Sequence, residues 1–223
     1  MRRGRPWPTR IQREHVYWHE LRSPIGTLIS LLDVAADAYA QDVPPELLDL
    51  LQRARRQAYR LSEMAAAAHD MERLRWGALS IRKQPLELPQ ALQQAVSAVA
   101  AAAEKRGVAL EVRPAAPLVV MSDAVLLGRC LECLLRASVE ASVPGGAVAV
   151  EIALADEKTT VRAHIAKPAN PEGLAVAFTL ESALGIRGGT ALGLHEVKLL
   201  VEAMGGAVAV NECALELCLP RGA

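Results

Sequence analysis

The sequence predicts an α+β chain in two parts. An N-terminal helical hairpin pairs with a second copy to form a dimeric four-helix bundle, and an α/β-sandwich domain follows. Two observations carry this expectation. Apolar residues recur at alternating three- and four-residue spacings over residues 18–39 and 47–68, the heptad pattern of packed helices. Beyond residue 86 short strands interleave with helices, which gives helices on one face of a largely antiparallel sheet.

Composition narrows the class. Of 223 residues 52% are hydrophobic and 22% charged, so the chain can build a core and is not of disordered type. Lys+Arg and Asp+Glu are equal at 25 each, and no net field selects nucleic acid or an anionic membrane. No apolar run reaches the roughly 18–20 residues of a membrane span. The basic start "MRRGRPWPTRIQR" lacks the apolar stretch of a secretory signal. A cytoplasmic protein with neither membrane nor nucleic-acid partner is expected, and the position of Met1 just before the bundle suits a stand-alone protein. Cys130 and Cys133 have C-x-x-C spacing inside an apolar helical stretch without further ligands nearby, which favours small buried residues over a metal site.

The first helix places Trp18, Leu21, Ile25, Leu28, Leu32, Ala35 and Tyr39 on one seam. "QDVPPE" ends it, and Pro44 and Pro45 suit the start of the next. The second helix carries Leu47, Leu51, Ala54, Ala58, Leu61, Ala65 and Ala68, widened by Leu50, Met64 and Met71. Two helices cannot bury faces this broad against each other alone, hence the second copy. "LPQALQQAVSAVAAAAEKRG" then reads as a helix closing at Gly107, and "VALEVRP" and "PLVVMS" as strands. "DAVLLGRCLECLLRASVEAS" is a helix capped by Ser122 or Asp123. Two strands joined by a charged turn, the helix "GGTALGLHEVKLLVEAMGG" and a final hairpin complete the chain. The boundaries are 1–76 for the hairpin, 77–86 for a linker and 87–223 for the second domain.

The stretch "WHELRSPIG", residues 18–26, carries the chemistry. The seam takes Trp18 and Leu21, which leaves His19 and Ser23 on an outward stripe at i, i+4. An accessible imidazole with one unprotonated nitrogen is a nucleophile, and the adjacent Glu20 can fix its tautomer or take its proton. Pro24 removes a helical hydrogen bond and loosens the turn that holds His19. A plain surface histidine is the competing reading. Two other His-acid pairs occur: His69-Asp70 near the end of the second helix, and His195-Glu196, read as a surface pair. His15 and His19 could in principle ligate zinc, but no third ligand is apparent.

"HELRSPIGTLISLL" resembles the H-box of sensor histidine kinases, H-E-[LI]-[RK]-[TS]-P-[LI], and the resemblance in element order runs to about residue 220. It implies that His19 is the phosphoacceptor, Glu20 its acid-base partner, and Ser23 the counterpart of a residue that positions water in kinases with phosphatase activity. The second domain then resembles a histidine-kinase ATPase domain, but its nucleotide motifs depart from the family. Where the family has N-L-L-x-N-A this chain has "ECLLRA", with Glu132 and Arg136 at the asparagines, and a guanidinium has no acceptor for magnesium. Against D-x-G-x-G stands "KPANP", with Lys167 in place of the adenine-binding Asp, and no Asp occurs after Glu157. Only "GGTALGL" survives, with Gly188, Gly189 and Gly193. Those glycines suit close packing better than a phosphate cradle. The stretch between these boxes is short for a nucleotide lid.

The resemblance therefore implies a histidine phosphotransferase with a degenerate ATPase-like domain, which binds no ATP and needs no metal of its own. Its Mg²⁺ would come from the partner. The expected partners are a second copy, response-regulator receiver domains and an upstream hybrid kinase. Docking would use Arg22, Ser23 and Pro24 with Arg56 and Arg60, although the basic run of Arg53, Arg55, Arg56 and Arg60 also reads as a solvated face. The alternatives are a divergent kinase that still uses ATP, and a non-catalytic pseudokinase scaffold that binds a response regulator.

Overall fold

The structure is a computed structural model that describes residues 10–39, 41–155, 158–179 and 190–220. It divides into two compact units, Met1–Glu72 and Arg73–Ala223. Residues 77–86, read as a linker, fall within the second unit, where Leu79 and Ile81 pack against its core.

The first unit is built from α1 (Arg10–Ala38) and α2 (Pro45–Arg75). Pro45 opens α2 where its missing N–H costs nothing, and Glu46 in the first turn faces the positive end of the helix dipole. The single seam expected on each helix is split in two. Ile25, Ala36 and Ala58 are buried between the helices, with Leu48, Leu51 and Ala65 half-buried beside them. Leu28, Tyr39, Leu47 and Leu61, assigned to the same seam, are exposed together with Leu31, Val34, Leu50 and Met64. The reason is geometric. A straight helix turns once in 3.6 residues, so a 3.5-residue repeat drifts by about 20° per heptad and serves two neighbouring faces. The small Ala36 and Ala58 also admit the close approach that larger side chains refuse. A polar clamp fixes the register: Arg55 Nε lies 2.9 Å from Asp33 Oδ1 and its Nη1 2.9 Å from Asp37 Oδ1. Tyr59 Oη donates to Asp33 Oδ2 at 2.9 Å.

The second unit contains β1 (Gln84–Glu87), α3 (Leu88–Arg106), β2 (Ala109–Val112), β3 (Val119–Ser122) and α4 (Ala124–Ala141). It continues with β4 (Ala147–Ala155), β5 (Lys158–Ile165), α5 (Pro171–Ala175), α6 (Thr190–Ala203), β6 (Ala207–Asn211) and β7 (Ala214–Pro220). Five strands form one sheet in the order β2-β4-β5-β7-β6, with β2 parallel to β4 and the other pairs antiparallel. One face is apolar: Val148, Val150, Val161, Ile165, Leu215 and Leu217 are fully buried in a core shared with α3, α4 and α6. The other face carries a charged ladder across the strands. Arg162 Nε lies 2.5 Å from Glu216 Oε1, and its Nη1 lies 3.0 Å from Glu151 Oε1. Asn211 Nδ2 donates to Glu216 Oε2 at 2.8 Å, and Arg113 pairs with Glu151. The bond to Glu216, then that to Glu151, holds the Arg162 guanidinium above its ordinary pKa.

Helix ends follow the sequence signals. Gly107 takes the left-handed conformation after α3 (φ 65°), and Val108 N–H donates to Ala103 O at 2.9 Å. Asp123 caps α4, its Oδ1 accepting from Val125 and Leu126 N–H at 3.1 Å. Two elements were not anticipated. β1 exists because residues 84–87 pair antiparallel with residues 119–122. The short α5 is capped by Asn170, whose Oδ1 accepts from Gly173 N–H at 3.0 Å.

Candidate functional site

The stretch WHELRSPIG, residues 18–26, lies in the N-terminal half of α1, which continues through Pro24 to Ala38. The backbone of His19 is helical, and its side chain lies outside the described residues. Glu20, Arg22, Ser23 and Pro24 are all exposed. Pro24 has no N–H to give the ladder. The next turns add side-chain bonds, Thr27 Oγ1 donating to Ser23 O at 3.1 Å and Ser30 Oγ to Gly26 O at 3.0 Å. The exposed surface of this turn therefore presents a carboxylate, a guanidinium and a hydroxyl within one turn of the His19 backbone.

Beside it, a cleft of about 250 Å³ opens between the two helices. Arg22 and Ile25 line it from α1, and Ser62, Ala65, Ala66 and His69 from α2. His69 was not a predicted site residue. The available signal was its position on the 62, 65, 69 stripe of α2, the same stripe that faces α1. The basic run of α2 is divided: Arg55 is held by Asp33 and Asp37, and Arg53 Nη2 lies 2.7 Å from Asp49 Oδ2. Arg56 is exposed, and the side chain of Arg60 lies outside the described residues.

In the second unit, α4 carries Glu132, half-buried, and Arg136, exposed. Lys167 is exposed in the loop after β5, and its carbonyl accepts from Val143 N–H at 3.0 Å, which holds that loop to the end of α4. Gly188 and Gly189 lie outside the described residues. Gly193 sits inside α6, where an added Cβ would lie only 2.6 Å from Cys133 Sγ. The two helices also meet through Arg129 Nη2, 2.5 Å from Glu196 Oε1. Glu196 is only 7% exposed, which corrects the reading of His195-Glu196 as a surface pair. The close approach at Gly193 brings the next turn of α6 onto α4, and Arg129 supplies the charge partner that a buried carboxylate requires. His195 Nδ1 lies 3.4 Å from Phe178 O, and Leu174, Ala177 and Phe178 are buried in the core.

The cysteines are free thiols. Cys130 is fully buried, and desolvation pushes its thiol far above the ordinary range. Among the described residues no group of three or more His, Cys, Asp or Glu is placed to hold a metal, and no helix is long and apolar enough to cross a membrane.

No family model matches this sequence, and no curated protein is similar to it. Solved structures do match. Full-length ShkA in complex with AMPPNP superposes with a TM-score of 0.69 at 19% identity, over 94% of this chain and 46% of that one. This chain thus spans less than half the length of ShkA. The histidine kinase AdeS of Acinetobacter baumannii matches at TM-score 0.62 and 14% identity, over 92% of this chain and 98% of AdeS. The catalytic domain of the histidine kinase ThkA covers 62% of this chain at TM-score 0.53 and 19% identity, with 95% of that domain matched. The helical hairpin and the α/β sandwich together form a histidine-kinase-like fold, a dimerisation-type hairpin followed by an ATPase-type domain.

Proposed function

We propose that the protein is a histidine phosphotransferase that moves phosphoryl groups between receiver-domain aspartates and His19 without using ATP. One observation carries this reading. A complete H-box on an exposed helical face is joined to a second unit whose nucleotide-box positions hold Glu132, Arg136 and Lys167. That donor set does not suit a nucleotide–magnesium complex, because Arg136 and Lys167 are donors only and cannot ligate a cation or accept the adenine N–H. Gly193 supports the same view, since its lack of a side chain serves the contact with Cys133.

In the transfer, an unprotonated imidazole nitrogen of His19 attacks the phosphorus of a receiver's aspartyl phosphate. A P–N bond forms as the aspartyl P–O bond breaks, and the carboxylate leaves. Glu20 holds or receives the proton of the other ring nitrogen, and the reverse reaction restores the acyl phosphate. Ser23 orients a water for hydrolysis in this reading. The receiver supplies Mg²⁺, and rate comes chiefly from alignment of the two reacting groups. Partners are a second copy, receiver domains and an upstream hybrid kinase, and docking uses Arg22, Ser23, Pro24, Arg56 and Arg60.

The similarity to ShkA, whose structure holds AMPPNP, favours a second reading as a divergent ATP-using kinase. A single experiment separates the two. A phosphorylated receiver, and separately Mg-ATP, is mixed with wild type and with His19→Ala, and acid-labile phosphate is followed. The relay reading requires labelling of wild type alone and by the receiver alone. Labelling of wild type by ATP establishes the kinase instead, and full partner activity in His19→Ala establishes a scaffold.

A further inference from the structure

We draw no further inference here: the strongest candidate, the charged row of Arg113, Glu151, Arg162 and Glu216 on the face of the five-stranded sheet opposite the core, carries nothing, because its charges are already paired with one another within the chain and nothing in the structure shows what covers that face.

Discussion

Gly193 and Cys133 decide how closely α6 can lie on α4. A methyl at residue 193 would stand 2.6 Å from the Cys133 sulfur, nearer than any real Cβ contact, so the sulfur or the helix must move. Overpacking of this kind costs about 1–3 kcal/mol. Gly193→Ala is expected to lower the unfolding free energy measured in urea by that order, and Cys133→Ala should return most of the loss, because it removes the atom that clashes. Equal destabilisation in the presence and absence of the sulfur would place the cause elsewhere. The pair gives Gly193 a packing role of its own, independent of any ligand.

The hairpin shows what could be read from sequence and what could not. The two helices, the proline break and the outward placement of Ser23 were legible, because period and breakers are local signals. The assignment of Leu28 and Ile25 to one seam was not, since which of two adjacent apolar faces meets the neighbouring helix depends on the partner's side chains. β1 was illegible for a similar reason: residues 84–87 become a strand only by pairing with residues 119–122. His69 stood out only as half of a His-acid pair, and it is the register of the hairpin that brings it to Arg22. That register is held by the Arg55–Asp33–Tyr59 clamp, which predicts a pH dependence. The hydrogen bond to Asp33 is the main reason the Tyr59 phenol lies above its ordinary value of 10.0. The protonated phenol is the form that donates to Asp33. The bond's contribution is therefore fully present below pH ~10 and is lost as pH rises through the raised folded-state value. Thermal melts of wild type and Tyr59→Phe should differ below pH ~10 and converge only above the raised folded-state value. A constant difference across that range would dismiss the clamp.

At the scale of the molecule, the apolar face left over by the hairpin is the strongest argument for a second copy. Leu31 is 64% exposed and Leu50 60%, and Leu28, Val34, Leu47, Leu61 and Met64 continue the stripe along both helices. A contiguous apolar face of this kind marks an interaction surface in a stable protein. A two-fold pairing would bury the same stripe twice and turn two narrow seams into one four-helix core. It would also explain why the sequence carries a heptad broader than one intramolecular contact can use. In sedimentation equilibrium the 23.9 kDa chain should run at about twice its mass. Leu50→Asp and Leu61→Asp should bring it to one mass, since a buried charge without a partner costs several kcal/mol at each copy of the site. If the proposed reading of His19 holds, transfer from a phosphorylated receiver should survive in such a monomer, because residues 19–24 lie on one helix of one chain. Dissociation and loss of transfer are thereby separable: a monomer that still transfers assigns the exposed stripe to assembly, and a wild type that is already monomeric removes assembly from its role.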